Sequence, residues 1–150
     1  MDWGIHPAIR VVEGCQMKRF KNLFEEKIRF NNWPELGFEI CYQLETKIIR
    51  ERWELETQIS GSNLSESTYL NLSFFDEKEE DWLQYKIRYS NHPDRYGSDV
   101  TISYEDVAPG VYDEGTYLYT EISKEALNEL VDKGYKYAKE WYNQVMKDVK

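Results

Sequence analysis

The densest run of reactive side chains is Ile87-Arg88-Tyr89-Ser90-Asn91-His92-Pro93-Asp94-Arg95. Ser90, Asn91 and His92 bring a hydroxyl, a carboxamide and a titratable imidazole into adjacent positions. Arg88 and Arg95 flank them, and two guanidinium groups converging there would hold a carboxylate or a phosphate. As a nucleophile, Ser90 lacks the surrounding GxSxG elbow. His92 with Asp94 would make a metal pair, but two ligands at that spacing are common by chance. The plainer chemistry is local. Asn, Pro and Asp are turn residues, Ser and Asn bond their own backbone, and His92 anchors such a turn by bonding a carbonyl.

A second set combines carboxylates with aromatic rings. Asp113 and Glu114 are followed by Tyr117 and Tyr119, which alternate with Leu118 and so share one sheet face. If that face is open it is a contact patch, because Tyr carries interface energy well. The neighbouring carboxylates Glu79/Glu80 and Asp113/Glu114 fall in expected turns, without the burial that raises an acid's pKa for general acid–base work. Of 150 residues, 28 are acidic and 19 basic, for a formal net charge of −9. The charge is segregated. Lys18, Arg19, Lys21, Lys27 and Arg29 make a basic N-terminal stretch, whereas Asp99, Glu105, Asp106, Asp113, Glu114, Glu121 and Glu125 face only Lys124. An acidic chain is a poor binder of phosphate backbones, whose affinity comes from Lys and Arg. The acidic half is either ordinary solvated surface or a dock for a basic partner, steered at long range.

Other chemistries find little footing. Cys15 and Cys41 form no CxxC, and His6 and His92 form no HExxH. Free thiols in a reducing cytosol are the default. No GxGxxG or P-loop is present, and no cofactor or metal is expected. The chain start lacks a signal-peptide pattern and no run approaches a membrane span, so a cytoplasmic location is expected.

The elements that must position these groups follow from periodicity. Residues 16–30 read as a helix with Met17, Phe20, Phe24 and Ile28 on one stripe, ended by Asn31-Asn32-Trp33-Pro34. Residues 35–50 fit both periods: Leu36, Ile40, Leu44 and Ile48 make a helical face, and Phe38, Ile40, Tyr42 and Leu44 a strand. Length and Glu/Lys/Arg content favour helix. From Trp53 the period is two, through Leu55, Thr57 and Ile59. Further strands are expected at 68–75, 82–90, 99–104 and 116–121, with Asp76 to Asp81 a charged turn. Residues 123–148 carry a long amphipathic stripe that runs from Leu127 on to Val149, opened by Ser123 as N-cap. The expected fold is one α+β domain: an antiparallel β-meander of four to five strands packed by a long C-terminal helix, with N-terminal helical segments. An edge strand such as 99–104 offers pairing with a second copy, a homodimer.

The segment Tyr85-Lys86-Ile87-Arg88-Tyr89-Ser90-Asn91-His92 resembles an aromatic–x–Ile-Arg–x–Ser-(Asn/Asp)-His run of small phage-encoded proteins, which include broad-range anti-CRISPRs of streptococcal phages. Ser65-Glu66-Ser67-Thr68-Tyr69-Leu70 is similar to the strand that precedes it there. The resemblance is strong over about eight residues and covers less than a third of the chain. It implies a mobile-element origin and carries over Arg88, Ser90, Asn91 and His92 as motif positions. The functional expectation is a phage or mobile-element anti-defence protein. It would bind and inhibit a host nucleic-acid-targeting nuclease of CRISPR type, setting acidic, Tyr-rich Asp113, Glu114, Tyr117 and Tyr119 on a basic surface without direct nucleic-acid or membrane contact. The alternatives are a nucleotide binder using Arg88, Ser90, Asn91 and His92, and a metal-assisted hydrolase built on His92 and Asp94.

Overall fold

The computed structural model describes residues 27–61, 67–91, 97–107 and 120–149. Strand β1 (Lys27–Phe30) leads into helix α1 (Trp33–Glu51), then β2 (Glu56–Gly61), β3 (Thr68–Asp76), β4 (Asp81–Ser90) and β5 (Val100–Ser103). A short helix α2 (Tyr104–Val107), strand β6 (Thr120–Ser123) and helix α3 (Lys124–Val149) follow. This is the expected α+β class, with the C-terminal helix packed on the sheet. Among the described residues no helix is long and apolar enough to cross a membrane.

Helix wins over strand in the ambiguous stretch. Leu36, Ile40 and Leu44 are fully buried and Ile48 nearly so, whereas Tyr42, which a strand would bury, is 59% exposed. The ends are specified locally. Asn32 caps the start by accepting from the Glu35 amide at 2.9 Å, and Glu35 reaches back to accept from the Asn31 amide at 2.6 Å. Arg52, at φ 57°, closes the other end by donating its amide to Ile49 at 3.1 Å. The C-terminal helix begins as read, with the Ser123 hydroxyl accepting from the Ala126 amide at 3.1 Å.

Three expectations need correction. Lys27–Phe30 is a strand and not the end of a helix; Ile28 and Phe30 alternate toward the core, and the chain is held extended by pairing with β6. The rest of the expected helix lies outside the described residues. Next, the four-stranded sheet, ordered β2-β3-β4-β5, is mixed and not a pure meander, because β5 runs parallel to β4. Asp99 sets that start: its carboxylate accepts from the Lys86 amide at 2.7 Å, and its own amide donates to the Lys86 carbonyl at 2.9 Å. Finally, β6 does not extend this sheet. It pairs antiparallel with β1 as a separate two-stranded ribbon, and residues 116–119 of the expected strand lie outside the described residues.

Both long helices cover one face of the sheet. Register sets Leu70 opposite Ile87 and Leu72 opposite Tyr85, and these side chains meet Ile40, Leu44, Leu127 and Leu130 in the core. An aromatic ladder holds the far end of α3. Trp53 stacks on Tyr142 with centroids 4.8 Å apart and on Tyr135 at 5.8 Å, and Tyr85 stacks on Trp141 at 5.3 Å. The Tyr142 hydroxyl also accepts from the Glu54 amide at 3.1 Å. Trp53→Ala is expected to cost about 2 kcal/mol, less than a fully buried Trp because Trp53 is half-buried. Urea unfolding would measure it.

Burial also makes this core sensitive to alkali. The Tyr89 phenol lies well above its ordinary range because it is desolvated, and burial with Glu45 nearby pushes the Cys41 thiol up. Both groups stay protonated in the fold when the unfolded chain ionises. The unfolded state therefore binds fewer protons above about pH 9, and stability falls as pH rises toward the folded values. Urea midpoints measured from pH 8 to about pH 11 are expected to drop, with a shallower slope in Tyr89→Phe.

Candidate functional site

The sheet face turned away from the helices is built by the alternate residues of the same strands. Across β3 and β4 the register places Phe75 opposite Trp82, Ser73 opposite Gln84, Asn71 opposite Lys86 and Tyr69 opposite Arg88. On β2, Glu56, Gln58 and Ser60 continue these rows, and on β5 Thr101 joins Arg88. The face runs from an aromatic end at the β3–β4 turn, through polar side chains, to a buried cation.

The aromatic end is the most exposed large apolar surface of the sheet. Phe75 is 41% and Trp82 44% exposed, with ring centroids 5.2 Å apart in an edge-to-face pair. The turn beyond them carries Glu77, Lys78, Glu79 and Glu80, all exposed, and is closed by Asp76 and Asp81. Asp76 is buried, and its carboxylate accepts from the Lys78 amide at 3.0 Å. Asp81 accepts from the Trp82 amide at 2.8 Å. Glu80 sits at φ 54°, in the left-handed region that a tight turn demands. Two carboxylates thus shape the turn, and three more are exposed on it, with one lysine among them. Exposed aromatic anchors beside a turn of net negative charge suit docking on a surface of opposite charge. Sequence reading recognises the charged turn at 76–81 but not the site, since Phe75 and Trp82 meet only through the hairpin register.

At the other end Arg88 and Ser90 do come together, as their same-face spacing implies. Arg88 is only 3% exposed and donates from Nε to the Ser67 hydroxyl at 3.0 Å; Ser67 donates in turn to Ser90 Oγ at 3.1 Å. Ser67 is a member of this cluster that sequence reading misses. Its signal is position, one step before Thr68, which pairs with Tyr89 and so brings Ser67 beside Ser90. Ser90 is fully buried, and the Ser67 hydroxyl that bonds it is not a general base. Asn91 follows with both polar atoms of its carboxamide buried and no hydrogen-bond partner among the described residues. His92, Asp94 and Arg95 lie outside the described residues, as do Asp113, Glu114, Tyr117 and Tyr119. Among the described residues no group of three His, Cys, Asp or Glu side chains is placed to hold a metal ion.

Compared with protein-family models, with curated proteins and with solved structures, the chain has no significant match, so its functional reading rests on its own residues.

Proposed function

We propose that this chain is a non-catalytic binding protein, an anti-defence protein of a phage or related mobile element. Its partner is the basic surface of a host nucleic-acid-targeting enzyme of CRISPR nuclease type. The observation that carries a docking role is the exposed Phe75–Trp82 pair beside a turn that exposes Glu77, Glu79 and Glu80. The rings supply buried area and residence time, and the carboxylates supply steering. Asp113, Glu114, Tyr117 and Tyr119 repeat the same chemistry in sequence and belong to this reading. The phage connection rests on the resemblance at residues 85–92. The rival nucleotide carrier has less support, because the Arg88 guanidinium is nearly buried and already bonded to Ser67, leaving little surface for a ligand.

The test is inhibition of target cleavage by purified CRISPR effector nucleases, with binding followed by surface plasmon resonance at rising salt. The expected result is inhibition whose on-rate falls steeply with ionic strength. The triple variant Glu77→Lys, Glu79→Lys, Glu80→Lys should slow association by about tenfold or more. Cleavage unaffected by a large excess of the protein, or binding indifferent to salt, would overturn the proposal.

A further inference from the structure

We propose that the polar cleft in the middle of the open sheet face binds a neutral saccharide. The cleft has a volume of about 650 Å³ and is walled by β2, β3, β4 and the segment entering β5. That volume falls within the range of small-molecule sites, roughly 300–1,000 Å³, but such sites are mostly apolar. This one is not. Its working groups are Gln58, Asn71, Ser73, Gln84, Lys86 and Asp99.

Their hydrogen-bond state selects the ligand. The carboxamides of Gln58 and Gln84 and the hydroxyl of Ser73 make no hydrogen bond with any described residue, so each keeps its donors and acceptors. Asn71 spends its amide nitrogen on the Gln58 carbonyl at 3.2 Å and on Ser60 Oγ at 3.0 Å, which leaves its carbonyl oxygen as an acceptor. Asp99 is held from behind by the Lys86 amide through one oxygen, so the carboxylate is fixed before any ligand arrives. Lys86 Nζ lies 5.4 Å from the centre of the Tyr69 ring.

Among the described residues one cation, Lys86, and one anion, Asp99, line the cleft, so these charges balance. An anionic ligand meets Asp99 in a chain of net charge −9, and a cationic ligand meets Lys86. What remains is an uncharged molecule rich in both donors and acceptors, since every group here can give or take a hydrogen bond from a hydroxyl. Vicinal hydroxyls of a sugar ring suit a preset carboxylate and paired carboxamides, because one rigid ligand then satisfies several partners at little entropic cost. The exposed Trp82 and Phe75 rings lie in the next row, beyond Ser73 and Gln84, where the apolar face of a second sugar unit would lie.

The cleft's polar groups are distinct from the docking carboxylates, and the Phe75 and Trp82 rings, shared with the docking role, set only the disaccharide preference, so the two fail separately. The ¹⁵N-labelled protein is titrated with glucose, N-acetylglucosamine, maltose and cellobiose up to about 50 mM, well above a millimolar Kd. Expected are saturable amide shifts confined to residues around Asn71, Ser73, Gln84, Lys86 and Asp99, with a disaccharide binding more tightly than its monomer. Gln84→Ala and Asp99→Asn should each weaken binding about tenfold; the asparagine keeps an acceptor for the Lys86 amide. The Glu77, Glu79, Glu80 lysine triple should bind the sugars unchanged. No saturable shift with any of the four, shifts untouched by Gln84→Ala and Asp99→Asn, or equal shifts with inorganic phosphate would overturn it.

Discussion

Alanine at both Phe75 and Trp82 is expected to weaken binding to a basic protein partner about a hundredfold while leaving the chain folded. The two rings form a cross-strand pair beside the β3–β4 turn, each more than a third exposed. In water this pair adds at most about 1 kcal/mol to the hairpin. In an interface the remaining ring surface becomes dry, and aromatic anchors of this kind each carry about 2 kcal/mol or more. A hundredfold loss needs only about 2.7 kcal/mol from the pair. The change should appear in the off-rate, whereas the lysine triple at Glu77, Glu79 and Glu80 should appear in the on-rate. Surface plasmon resonance separates the two, and circular dichroism confirms that both variants remain folded. An off-rate unchanged by loss of both rings would remove this hairpin from the interface.

Valine at Gly134 is expected to cost about 3 kcal/mol or more of stability, and alanine there a smaller amount that depends on Tyr89. A Cβ at Gly134 would lie within van der Waals overlap of the Tyr89 hydroxyl and 2.6 Å from Leu44 Cδ2. The hydroxyl cannot retreat, because it donates to the Leu130 carbonyl at 2.8 Å and is walled in on every side. Overpacking a site of this kind costs about 1–3 kcal/mol for small additions and more for branched ones. Tyr89→Phe alone loses one buried hydrogen bond, about 1 kcal/mol. It also deletes the oxygen that the new methyl group of Gly134→Ala would strike. The double variant Tyr89→Phe, Gly134→Ala should therefore be more stable than the sum of the singles by about 1 kcal/mol. Chemical denaturation of the four proteins measures this coupling. Strict additivity would mean that α3 shifts away from the sheet to accept the methyl group.

Gly37 has the corresponding position on α1. A Cβ there would overlap Thr68 and come within 2.9 Å of the Tyr104 hydroxyl. Thr68 and Tyr89 are register partners on the covered face, so the two helices each use one glycine to approach the same rung of the sheet. A spacing rule over one chain segment does not reveal this, since each glycine answers to a residue far away in sequence.

Much of the architecture was nonetheless legible from local pattern. The 3.6-residue stripe of α3, its Ser123 cap, the alternation of β3 and β4 and the charged turn between them all depend on contacts within a few residues, or on which side of an element faces water. Same-face spacing also places Arg88 and Ser90 together. Tertiary structure decided what alternation cannot encode. A strand has period two whether its neighbour runs parallel or antiparallel, so the direction of β5 waited on the Asp99–Lys86 clamp. Lys27–Phe30 carries a helical stripe on paper, and pairing with β6 across most of the chain made it a strand. Ser67 entered the Arg88 cluster, and Phe75 met Trp82, only through strand register. Side-chain chemistry and element type are properties of neighbours along the chain; direction, pairing and the open face are properties of neighbours in space.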